Sequence, residues 1–111
     1  MATYVPRKGD VMSLTIDLQS GHEQHGRRPA LVISNDLFNT HTGLCIACPI
    51  TNTRRDYPFH VFLPEGEDVT GFIMVEQVKS IDFRSRKGRP IGKAPPEVLD
   101  EVLSILDACL H

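Results

Sequence analysis

Two short stretches concentrate side chains suited to a charged substrate. GHEQHGRRPALVIS (residues 21–34) sets His22, Glu23, Gln24, His25, Arg27 and Arg28 in a loop that opens straight into an apolar run. TNTRRDYP (51–58) joins two threonines to Asn52, Arg54 and Arg55. Pro29 biases Arg28 towards extended geometry, which mounts its guanidinium at the mouth of the strand ALVIS. That group is always charged, and its planar fork matches phosphate. Thr51 ends the run LCIACPI, and its hydroxyl can hydrogen-bond an oxyanion. On adjacent strand ends the two would clamp one phosphodiester. The residues leave a plainer alternative open, in which Arg28 pairs with Glu23 and Thr51 caps a turn.

Other chemistries find less support. His22 and His25 would need further metal ligands, and His41 and His60 stand far off in sequence. No G-x-S-x-G, P-loop or H-E-x-x-H is present, and the carboxylates are too scattered for a two-metal cluster. No metal or cofactor is expected. Cys45 and Cys48 form a C-x-x-C. On a strand, residues three apart point to opposite faces, so the pair reads as inert buried thiols.

The elements that must hold these groups are mostly strands. DVMSLTIDL (10–18) alternates Met12, Leu14, Ile16 and Leu18 with Ser13, Thr15 and Asp17, the pattern of a half-buried strand. ALVIS (30–34) and LCIACPI (44–50) are apolar throughout and suit central strands. FHVFL (59–63) lies between Pro58 and Pro64, and EGED (65–68) reads as an acidic turn. GFIMVEQVKSIDF (71–83) is one bent strand or two short ones. KGRPIGKAP (87–95) is a turn leading to a last short strand. After Pro95 and Pro96, two ridges recur at helical spacing: Val98, Val102, Ile105 and Cys109, then Leu99, Leu103, Leu106 and Leu110. Five to seven strands and one helix predict a mainly β fold, a small, strongly curved antiparallel barrel, as a single domain over 1–111. So small a barrel leaves function to its loops or to a groove between subunits.

Charge supports that placement. The net charge is −2, but residues 97–111 carry four acidic side chains and no Lys or Arg. The first 96 residues therefore hold 12 basic against 10 acidic side chains, a net +2. Arg27 and Arg28, Arg54 and Arg55, and the group Arg84, Arg86, Lys87, Arg89 and Lys93 form local basic patches that suit phosphate. No apolar run reaches membrane-spanning length and the start lacks a secretory h-region, so a cytoplasmic protein with no membrane partner is expected.

Several ordered motifs together resemble the MazF/PemK family of toxin endoribonucleases, whose fold is shared with the CcdB toxin. YVPRKGD (4–10) is similar to the family's Pro-x-x-Gly-Asp opening, and GHEQHGRRPALVIS to its Glu-Gln-x-Gly-x-Arg-Pro-x-x-Val-x-Ser. TGLCIACPIT (42–51), YPFHV (57–61) and the Gln-Val-Lys-Ser of 71–83 follow in order. The resemblance implies a CcdB/PemK-like, SH3-like barrel and a homodimer with an RNA groove along its interface. It implies metal-independent cleavage of single-stranded RNA by the toxin of a type II toxin–antitoxin system. The family's catalytic Arg and Thr fall on Arg28 and Thr51, and its loop Glu and Gln on Glu23 and Gln24. Gln77, Lys79 and Ser80 become RNA or interface contacts. RNA contact extends on this reading to His25, Arg27, Asn52, Arg54, Arg55, Arg84 and Arg86. The proton acceptor stays open among Arg28, Glu23 and His25. A cognate acidic, MazE-like antitoxin would lay a disordered segment over the groove. Ser13 and Asp17-Leu18 stand where many members carry Trp and Asp-Pro, and Arg27 where relatives often carry His. The alternative is a non-catalytic, CcdB-like toxin that poisons DNA gyrase by binding it.

Overall fold

Apolar and β-branched residues at period two build most of the chain. The computed structural model describes residues 4–15, 26–64 and 69–111. Its strands are β1 (Asp10–Thr15), β2 (Arg27–Val32), β3 (Cys45–Thr51), β4 (His60–Leu63), β5 (Gly71–Met74), β6 (Lys79–Ile81) and β7 (Arg89–Lys93). Helix α1 (Asp36–Thr42) joins β2 to β3, and α2 (Pro96–Leu110) closes the chain. Every pairing is antiparallel, in the order β4-β5-β3-β2-β1-β7, with β6 also on β3. The result is the expected mainly antiparallel β fold with a C-terminal helix. It curves without a pairing between β4 and β7 among the described residues.

Strand β3 bends the sheet. Its first half, Cys45–Ala47, pairs with β6, whereas Ile50 and Thr51 pair with β5. Pro49 sits in the gap between the two partners, where a missing N–H breaks no ladder on that edge. Segment 71–83 is two strands rather than one, separated by a 3-10 turn over Val75–Gln77.

Alternation splits the core in two. Val11, Leu31, Cys48, Ile50 and Ile73 face one side, where Val98 and Val102 of α2 cover them. Met12, Leu14, Ala30, Val32, Cys45, Ala47, Ile81 and Phe83 face the other. Strand β1 is therefore buried on both faces, not half-buried, and even Ser13 is only 8% exposed. Cys45 and Cys48 lie in opposite cores, and burial pushes both thiols up to about 12. Such thiols are inert at neutral pH. On α2, Leu99, Leu103, Ile105 and Leu106 pack against the first core, whereas Cys109 and Leu110 stay exposed.

Helix α1 was not legible as an element, although its caps are standard. The Asn35 side chain accepts the Phe38 amide at 2.9 Å, and Gly43 ends the helix at φ 73°. Its one buried residue, Asn39, is a hub: it donates to the Pro6 carbonyl at 2.8 Å and accepts from the Ser34 hydroxyl, which in turn accepts the Ile46 amide at 2.8 Å. The hub ties the N-terminal segment to the β2–β3 connection. None of the described helices is long and apolar enough to cross a membrane.

Candidate active site

Strand register decides which polar side chains can meet. Strand β2 pairs with β3 through Ala30↔Pro49, Leu31↔Cys48 and Val32↔Ala47. Carried two residues past its last rung, that register sets Arg28 opposite Thr51. Directly opposed residues share a face, and here it is the face of Met12, Ala30, Ala47 and Ile81. Lys79 joins it by pairing with Ala47. Arg28 is strand-extended and exposed, as Pro29 dictates.

Around Arg28 lies a hollow of about 240 Å³. Leu14, Ala30, Pro49 and Ile81 supply apolar walls, and Arg28, Lys79 and Arg86 supply three cations. No described carboxylate lines it. Three cations without a counterion among the described residues form an anion site. Arg86 is brought there by its loop. Asp82 Oδ1 accepts the amides of Arg84 and Ser85 at 3.2 and 3.1 Å, an Asx turn. Arg86 Nε then donates to the Thr15 carbonyl at 2.9 Å, and Thr15 N donates back to the Arg86 carbonyl at 2.9 Å. A second hollow of about 360 Å³ joins Arg28 to Arg27 and Asn52.

Thr51 opens onto a third hollow of about 150 Å³, shared with Arg55 and Gln77. Its Oγ1 accepts the Thr53 amide at 3.1 Å, so the turn-capping alternative is present. That bond uses a lone pair and fixes the oxygen, while the hydroxyl proton stays free to be donated. Gly71 holds this strand end in place. At φ 150°, a Cβ there would lie 2.6 Å from the Thr51 carbonyl oxygen, so β5 comes this close only without a side chain.

The remaining expected contacts divide. Arg27 is engaged internally: Nε donates to Ser13 Oγ at 2.7 Å, and Nη2 donates to the Ser13 carbonyl at 2.8 Å and to the Lys87 carbonyl. Burial, then the nearby Arg89 charge, lowers its pKa. Arg84 stacks over the Phe83 ring at 5.8 Å. Ser80 pairs with Ile46 on the opposite face from Lys79. Arg54 is exposed and lines none of the three hollows. Glu23, Gln24 and His25 lie outside the described residues. Among the described residues no three His, Cys, Asp or Glu side chains converge as metal ligands would.

One pair escaped the sequence reading. His60 Nε2 lies 3.0 Å from Glu76 Oε2, and both line the hollow beside Thr51. They are 16 residues apart, and only the pairing of β4 with β5 brings them together.

Comparison with known proteins bears on the family and the fold. A family model described as PemK-like, MazF-like toxin of type II toxin-antitoxin system matches residues 7–110. The chain is 39% identical to the endoribonuclease toxin MazF of Escherichia coli K12 over 99 residues, covering 89% of this chain and 88% of that one. It is 42% identical to the endoribonuclease toxin ChpB of the same organism over 109 residues, covering 94% and 93%. A MazE–MazF crystal structure from Deinococcus radiodurans superposes with a TM-score of 0.91 at 44% identity, covering 97% of each chain.

Proposed function

Because this chain belongs to the PemK-like, MazF-like toxin family of type II toxin–antitoxin systems, we propose that it is an endoribonuclease cutting single-stranded RNA without a metal ion. The observation that carries this reading is the hollow of Arg28, Lys79 and Arg86, lined by no described carboxylate, with Arg28 opposite Thr51 in the extended β2–β3 register.

The chemistry is transesterification. The ribose 2′-oxygen attacks the adjacent phosphorus and the bond to the 5′-oxygen breaks, leaving a 2′,3′-cyclic phosphate and a 5′-hydroxyl. Negative charge grows on the equatorial oxygens. Arg28 and the Thr51 hydroxyl donate to them, and one such donor is worth about 10²–10³ in rate. Lys79 and Arg86 hold the backbone. Glu23 or His25 takes the 2′-hydroxyl proton, because the charged Arg28 guanidinium has no free lone pair, and the departing 5′-oxygen takes a proton from water. The pH–rate profiles of Arg28→Lys, Glu23→Gln and His25→Ala test that choice. A required 2′-hydroxyl separates RNA from DNA, and bases must be unpaired to enter the hollows.

The partners follow the family. The chain acts as a homodimer, and Leu37, Phe38 and Leu44, exposed in and beside α1, are apolar surface of the kind that pairing covers. A cognate antitoxin inhibits it by laying an acidic segment, ordered on binding, across the Arg28–Lys79–Arg86 cations. The MazE–MazF complexes of similar chains support an antitoxin partner. The cytoplasm, where messenger RNA lies, is its place of action.

Incubating the purified protein with a long RNA in EDTA, followed by end analysis, tests the reading. The expected products are discrete fragments with cyclic phosphate and 5′-hydroxyl ends. Intact RNA, or cutting abolished by EDTA, would overturn it.

A further inference from the structure

The His60–Glu76 pair has no part in the mechanism above, yet it is built with care. The His60 side chain is only 3% exposed. The Tyr57 ring meets it edge-on, with centroids 5.0 Å apart at 82°. Nδ1 is buried without a hydrogen-bond partner among the described residues, so the ring proton belongs on Nε2, where it is donated to Glu76 Oε2 at 3.0 Å. The ring therefore fixes one carboxylate oxygen. The other, Oε1, accepts no hydrogen bond from the described residues. Glu76 remains partly open to solvent, its side chain 29% exposed.

The hollow they share measures about 150 Å³. At ~30 Å³ per water that is the space of about five waters, enough for one flat ring and too little for two stacked ones. Met74, beside His60 in the β4–β5 ladder, offers an apolar surface. Glu76 offers an acceptor, Arg55 a donor and Gln77 both. An apolar wall with a few converging polar groups orients a small planar ligand. Thr51 on the same rim places that ligand next to the reacting phosphate.

We propose that this hollow takes the nucleobase flanking the scissile phosphate, and that Glu76, oriented by His60, selects a base with an exocyclic amino group over uracil. The inference rests on the endoribonuclease reading. A carboxylate can only accept, so it pairs with the amino group of cytosine, adenine or guanine. Uracil presents a carbonyl there, which repels the carboxylate, and its one Watson–Crick donor, N3–H, lies a ring atom away from that position. Cytosine against uracil is the cleanest comparison, because the rings are alike in size. His60 is a positioning residue: it touches Glu76, not the base.

The test is cleavage of a randomised RNA pool, with the cut ends sequenced. For wild type, uracil is depleted roughly tenfold or more relative to cytosine at one position flanking the cut. Glu76→Gln, which can donate as well as accept, removes that depletion and leaves preferences elsewhere unchanged. His60→Phe weakens it by releasing Glu76, whereas His60→Gln, still able to donate, retains it. A purely structural role would lower all rates and leave the preference intact. Should Glu76→Gln fail to fold, the two His60 variants decide by the same ratio. The inference is overturned if wild type takes uracil and cytosine equally at every flanking position, or if Glu76→Gln and His60→Phe keep the wild-type preference. A wild type that cuts nothing refutes the endoribonuclease reading itself, whereas unchanged preferences in an active Glu76→Gln refute only this inference.

Discussion

Replacing Thr51 by valine removes one hydroxyl and little else. Valine keeps the β-branched shape that suits the end of β3, so the strand should form. Two interactions are lost. The first is the bond accepted from the Thr53 amide at 3.1 Å, in an exposed turn where water can replace it, costing at most about 1 kcal/mol of stability. The second is the donor to the phosphoryl oxygens, worth about 10²–10³ in kcat, or roughly 3–4 kcal/mol of barrier. Because that bond strengthens in the transition state, KM should change little. Thr51→Ser restores both groups and should recover most of the rate. A fluorogenic single-stranded RNA, assayed in EDTA beside a thermal melt, measures all of this. A Thr51→Val protein within about threefold of the wild-type kcat would refute the assignment, because no other hydroxyl stands opposite Arg28 in the β2–β3 register. An equal loss in Thr51→Val and Thr51→Ser would show that the hydroxyl is not the active part.

Gly71→Ala should lower kcat roughly tenfold or more with a smaller effect on KM, because its Cβ must displace the Thr51 carbonyl; an unchanged kcat in the same assay would separate the β5 contact from the site. Lys79→Gln should weaken RNA binding across sequences and flatten the plot of log affinity against log salt by about 0.7, the share of one phosphate on a single strand, and an unchanged slope would remove Lys79 from the backbone contacts. Asp10 makes the pH prediction. Burial raises its pKa, but the Arg7 amide, Lys93 and the Tyr4 hydroxyl outweigh burial and leave it below the usual aspartate value. A carboxylate with a lowered folded pKa stabilises above its unfolded pKa of about 4, and that stability is lost as pH falls through the folded value. Asp10→Asn should therefore be about 2 kcal/mol less stable at pH 7 by urea unfolding, with the gap closing below about pH 4, whereas a gap independent of pH would contradict the charge argument.

Local pattern revealed most of the strands because alternation and burial coincide in them. Arg28 and Thr51 were legible as residues near strand ends because Pro29 and Pro49 flank the last β2–β3 rung, beyond which β2 keeps only β1 and β3 only β5. The opposite fates of Cys45 and Cys48 follow from period two alone. Ser13 misled, since its alternation with Thr15 and Asp17 suggests a solvent face and here it is buried under Arg27. Arg27 and Arg28 are adjacent and chemically identical, so only the strand's two faces separate an internal clamp from an exposed cation. Helix α1 was hidden because seven residues with one buried side chain show no apolar stripe, although Asn35 and Gly43 carried its cap signals. The His60–Glu76 pair was out of reach. It depends on the β4–β5 register, a long-range fact that neither segment encodes by itself.

Attack by the ribose 2′-oxygen beside the scissile phosphate is the central claim, and one substrate change addresses it. In an RNA oligonucleotide that the protein cuts at a single site, the nucleotide 5′ to the cut is replaced by its 2′-deoxy form. With Arg28 and Thr51 stabilising charge but supplying no nucleophile, cleavage at that bond should fall below detection while the modified strand still competes for binding. Cleavage at the deoxy position at a rate near that of the unmodified RNA would contradict the account.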